Sequence, residues 1–157
     1  MPAAVTLVIG SSSIQGPVIK CDVGVMPVSL FTFVASNNLR FAAILALGGF
    51  LLGLPTIAAL VLNGATFGSL SAQLIGNPTF LIEGTLPHGL LEIAGYIFSA
   101  SVGLHFARIE LNMIRGRETN LNTTPVVVSV SIAIALILGA AAVEALVTPT
   151  LVNSFCP

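Results

Sequence analysis

The sequence predicts an all-α membrane protein, a bundle of about four transmembrane helices with a short extracytoplasmic N-terminal segment. Three observations predict it. Only 7% of the 157 residues are charged, against about a quarter in a soluble domain, so no water-facing shell can cover an ordinary core. Mean hydropathy is +1.05. The apolar runs are long and continuous, whereas a membrane β-barrel needs many alternating segments of about ten residues. A net charge of −1 points neither to nucleic acid nor to an anionic membrane surface. Trp is absent and Tyr occurs once, which leaves little of the usual aromatic belt.

Two regions are expected: an N-terminal segment over residues 1–35 and a transmembrane domain over 36–157, with spans at roughly 38–62, 65–82, 87–108 and 126–147. The run from Met1 to Gly10 is briefly apolar but lacks the basic flank of a secretory signal. The stretch VMPVSLFTFVAS, just before the first span, reads as lying along the membrane interface.

Ser36, Asn37 and Asn38 are good N-cap residues and set the expected start of the first span. Arg40 follows, close enough to that end to snorkel or pair. Gly49 and Gly53 are four apart and permit close helix contact. Pro55 is expected to kink the span, which membrane helices tolerate. Asn63-Gly64 reads as the turn into the second span. Gly64, Gly68, Ala72 and Gly76 then repeat a small residue every fourth position. Such a ladder is a packing face, within the chain or between copies of it. Asn77-Pro78 threatens the helix near its end.

Glu83-Gly84-Thr85 is a short polar connector. In the third span Pro87 suits the first helical turn, where its missing N–H loses nothing. His88 and Glu92 are four apart and share a face. Gly95, Ser99 and Gly103 continue a small-residue stripe on much the same side. The next stretch, RIELNMIRGRETNLNTTP, is the most charged in the chain. The fourth span follows and Pro149 closes it. Arg108, Arg115 and Arg117 mark the loop between the last two spans as cytoplasmic, which puts both chain ends outside.

That topology gathers Asn37, Asn38, Arg40, Glu83, His88, Glu92 and Glu144 at the outer ends of the helices. One polar cluster there is the economical reading, with Arg40 neutralising Glu92 or Glu144. An ionisable group inside a membrane span is a functional candidate by default. Cys21 and Cys156 also fall outside, where a disulfide would tie the two ends together.

At SNNLR, NG and LPHGLLE the chain resembles the stage II sporulation protein M family of integral membrane proteins. The motifs are Asn37, Asn38 and Arg40 opening one span; Asn63 and Gly64 between spans; and Pro87, His88, Gly89 and Glu92 opening another. The resemblance covers roughly residues 33–150. It implies a membrane anchor of the kind that, in sporulating bacteria, recruits cell-wall hydrolases during engulfment. The family extends beyond such bacteria, so a sporulation role is not implied. Family members usually carry one more span ahead of an outer loop, and the start of this chain has no clear counterpart to it.

His88 and Glu92 have the spacing of a shared metal or an acid–base pair. A plain helix-start network, with Glu92 paired to Arg40, is the favoured reading. His105 lies seventeen residues from His88, about 25 Å along a helix, and cannot join them. HExxH, GxSxG and adjacent glutamates are all absent. No enzyme activity, cofactor or metal is therefore expected. The leading expectation is a non-enzymatic, multi-pass scaffold in the cell membrane. It would hold other membrane or extracytoplasmic proteins and sit in the lipid bilayer, with a homo-oligomer as a further option. The alternative is a small oligomeric channel or permease with His88 and Glu92 at its outer mouth, since interrupted helices mark transporter sites. A metal-dependent membrane hydrolase ranks below both.

Overall fold

A computed structural model describes residues 27–75, 78, 81–119 and 122–153. Every element among them is helical. Helix α1 spans Pro27–Leu47, and a 3-10 turn over Gly48–Leu51 leads into α2, Leu54–Leu74. A π-helical turn at Leu81–Thr85 opens α3, Leu86–Ile114; α4 spans Thr123–Leu146, and the short α5 spans Thr148–Asn153. Four helices among the described residues are long and apolar enough to cross a membrane. The chain is a multi-pass helical membrane protein, as its composition requires.

The span bounds differ from those read in the sequence. The first span starts at Val28 rather than near residue 38. From Pro27 on, the stretch read as interface-lying is therefore the first part of α1. Asn37 and Asn38 lie in the middle of α1 and cap nothing. The first break falls at Gly48–Gly53, and Asn63-Gly64 sits inside α2. Pro55 does not kink a span; it stands in the first turn of α2. Asn and Gly are turn residues in water, but apolar surroundings keep backbone bonds inside the helix. Pro87 does occupy the first turn of α3. Residues 1–26, with Cys21, and Gly76, Asn77 and Cys156 lie outside the described residues, and so does any bond between the cysteines.

The true break is built from backbone geometry. Leu52 and Gly53 both take the left-handed conformation, φ 56° and 76°. Leu52 donates its N–H to Glu110 Oε2 of α3 over 2.8 Å, which pins the turn to the far end of that helix. Thr56 is fully buried and its hydroxyl donates to Leu45 O at 2.8 Å. That carbonyl belongs to the last turn of α1, where helical acceptors run out of partners.

Helices α1 and α3 run parallel. Asn38 meets Glu92 and Gly49 faces Gly103, both pairs 54 residues apart. A Cβ on Gly49 or Gly103 would strike the backbone of the other helix. Gly95 packs against Ile137 of α4, and Gly53 against Ala107. The core is correspondingly small-residued: Ala42, Leu45, Ala59, Tyr96, Ala100 and Ile137 form one cluster, with Val34, Ala35 and Ala141 beside it. Phe41 and Tyr96 add an edge-to-face contact at 4.8 Å.

Past Thr56 and Ala59, which join the core, helix α2 stands apart. Only 6% of its most apolar window is buried, against 39% for α3. Gly64 and Gly68 have nothing within 4 Å of an added Cβ. The expected glycine ladder thus packs nothing within the chain at these two positions, whereas Gly49, Gly53, Gly95 and Gly103 do.

Candidate functional site

The polar residues that meet do so inside the bundle. A cleft of about 260 Å³ is lined by Phe33, Val34, Asn37 and Asn38 of α1, His88 and Glu92 of α3, and Glu144 of α4. Glu92 is six residues into α3, about 9 Å from its start, and Asn38 is eleven residues into α1, about 16 Å from its start. Asn38 and Glu92 therefore sit well within their helices, whereas His88 lies in the first turn of α3 and Glu144 in the last turn of α4.

Its internal bonds are few. Asn38 is buried, and its side-chain amide donates to Glu92 Oε1. His88 Nδ1 lies 3.4 Å from Thr148 Oγ1, where α4 gives way to α5. Glu144 is near enough to act electrostatically on both His88 and Glu92. The π-helical turn leads directly into α3, where His88 and Glu92 fall one helical turn apart on one face. The break at Gly48–Gly53 and the Gly49–Gly103 contact fix the register that brings Asn38 level with Glu92.

Arg40 does not enter the cleft. It is exposed and forms no ion pair among the described residues. Two residues beyond Asn38, it lies roughly 160° around the helix from it. The expected Arg40–Glu92 pairing is thus replaced by the Asn38–Glu92 hydrogen bond. Glu83 falls in the π-helical turn, and its side chain lies outside the described residues.

The sequence reading missed three contributors: Thr148, which faces His88, Glu110, which holds the turn at Leu52, and Thr56. Each adjoins a proline or the charged stretch, a weak signal at best. His105 lies farther along α3, with its buried Nε2 unbonded among the described residues. No group of three His, Cys, Asp or Glu side chains among the described residues is placed to hold a metal ion.

Chemically, the cleft offers two carboxylates, an imidazole and two amides, without an internal guanidinium or ammonium. Such a set accepts a cation or a hydrogen-bond donor from outside. Fold and cleft together define a polytopic α-helical membrane protein with its polar groups gathered between its helices. The chain belongs to a family of such proteins: the family model described as Stage II sporulation protein M matches residues 6–149. Neither the comparison with curated proteins nor that with solved structures gives a match.

Proposed function

We propose that the chain is a non-enzymatic scaffold or anchor in the cell membrane, holding partner proteins through helix faces that its own fold leaves bare. The observation that carries this reading is α2. Its Gly64 and Gly68 present open backbone beside Thr66 and Ser69, whose hydroxyls turn back onto their own helix. Small residues let helices approach closely in a membrane, and lipid gains nothing from them. Membership of a family resembling membrane anchors supports the same reading.

The test is purification from native membranes in mild detergent, with co-purifying proteins identified by mass spectrometry. A stoichiometric partner protein is expected, and Gly68→Leu should release it while the chain stays folded. Its repeated absence would sink the scaffold.

The cleft supports a second reading, a small channel or permease, because its ionisable groups lie within the span. Flux of small cations in liposomes, lost in Glu92→Gln with folding intact, would favour it.

A further inference from the structure

We propose that a second copy of this chain supplies its Arg40 to the cleft, so that two clefts are completed across a two-fold α1–α1 interface.

Three observations converge on it. The first is a charge mismatch. Glu92 and Glu144 face one cleft, and no Lys or Arg among the described residues pairs with either. Arg40 is exposed on a membrane-crossing helix, likewise without a carboxylate among those residues. Lipid tails offer a guanidinium no acceptor, and charged groups inside spans pair with one another.

The second is depth. Arg40 is two residues from Asn38, about 3 Å along the axis, and Asn38 bonds Glu92. A two-fold axis along the membrane normal keeps every residue at its own depth. Arg40 of one copy therefore arrives within a helical turn of Glu92 in the other. It comes from the correct side as well: Phe33, at the rim of the cleft, is seven residues from Arg40 and only about 20° away around the helix.

The third is spacing. Phe33, Asn37, Arg40, Ile44 and Leu47 follow intervals of four, three, four and three, and all five are exposed. Phe33, Ile44 and Leu47 are 71%, 52% and 62% exposed. This is the a/d pattern by which two parallel helices interlock, and a polar residue in such a seam sets its register. Two like-charged guanidiniums on one seam repel, and each finds relief by turning into the opposite cleft. The partner is then a copy of the same chain, because one surface carries both the donor and the acceptor.

The experiment uses the full chain in lipid nanodiscs, with Cys21→Ser and Cys156→Ser as background. Particle mass should correspond to two chains. Ile44→Cys on the seam should form an intermolecular disulfide, and Ile134→Cys on α4 should not. Arg40→Ala should weaken the dimer at least about tenfold, as loss of one partner of a charge pair does. Arg40→Glu should abolish it, and adding Glu144→Arg to that chain should restore it. Helicity of each variant shows that the monomer remains folded. A monomeric wild type, a dimer indifferent to Arg40→Ala, or a folded double variant that stays monomeric would each overturn the proposal. The scaffold reading is judged separately, by whether Gly68→Leu releases a foreign protein while this dimer persists.

Discussion

Asn37 and Asn38 are adjacent and meet opposite surroundings. Asn38 is buried and bonds Glu92; Asn37 is exposed at the rim of the cleft. In water two asparagines ahead of an apolar run are a strong helix start. Inside an apolar span a helix keeps its backbone bonds, and the amide turns sideways to a neighbouring helix instead. Asn38→Leu should therefore destabilise the chain by about 1–3 kcal/mol, since the Glu92 carboxyl loses its partner. Thermal unfolding in detergent, followed by circular dichroism, measures this. A change below about 0.5 kcal/mol would mean that the carboxyl finds another donor. His88, Glu92 and Asn38 stand out by residue type alone, because polar groups are rare in this chain, and the structure brings them to one cleft. Which of them bond was not legible. Arg40 looks like the natural partner of Glu92 by charge, and only the helical phase between positions 38 and 40 turns it away.

Helix ends were less legible than helix count. The chain breaks at Gly48–Gly53, where the sequence suggests only a close helix contact, and not at Asn63-Gly64, which local turn chemistry favours. The first wins on tertiary grounds: Glu110 and Thr56 satisfy its polar groups, and Gly49 needs the backbone of Gly103 beside it. The same glycine spacing thus has two outcomes: Gly49 and Gly53 pack in the break, and Gly64 and Gly68 face open space on α2. Gly103→Ala places a methyl group against the Leu45 carbonyl and the Thr56 hydroxyl. It should cost about 1–3 kcal/mol, as overpacking does, or force α1 away from α3. Gly64→Ala meets open space, so it should leave the isolated chain unchanged or stabilise it by up to about 1 kcal/mol through helix propensity. Paired melting curves compare the two. Equal losses would show that the α2 glycines pack somewhere within the chain after all.

At the scale of the molecule, fold class followed from composition, because 7% charged residues leave no other compact solution. Orientation rests on Arg108, Arg115 and Arg117, all exposed around the α3–α4 connection. Arg117→Cys should react with a membrane-permeant thiol reagent and resist an impermeant one added to intact cells. Labelling by the impermeant reagent would invert the topology. The cleft would then open from the opposite leaflet, with its internal bonds unaltered.

The isolation of α2 also bears on how the chain enters the bilayer. The other spans gain protein neighbours once assembled; α2, 6% buried, must remain inserted almost entirely on its own apolarity. Its mean hydropathy of 1.3 is close to the 1.5 and 1.4 of the first and third spans, which have more protein around them, and far below the 2.7 of the fourth. Insertion is therefore decided by a narrow margin there. A lysine at exposed Leu62, near the middle of that span, would cost about 2.5–3.5 kcal/mol on insertion scales. Glycosylation tags placed after Ile75 would report the outcome as a shift from one inserted topology to a mixture, with the α1–α2 hairpin as the segment that slips.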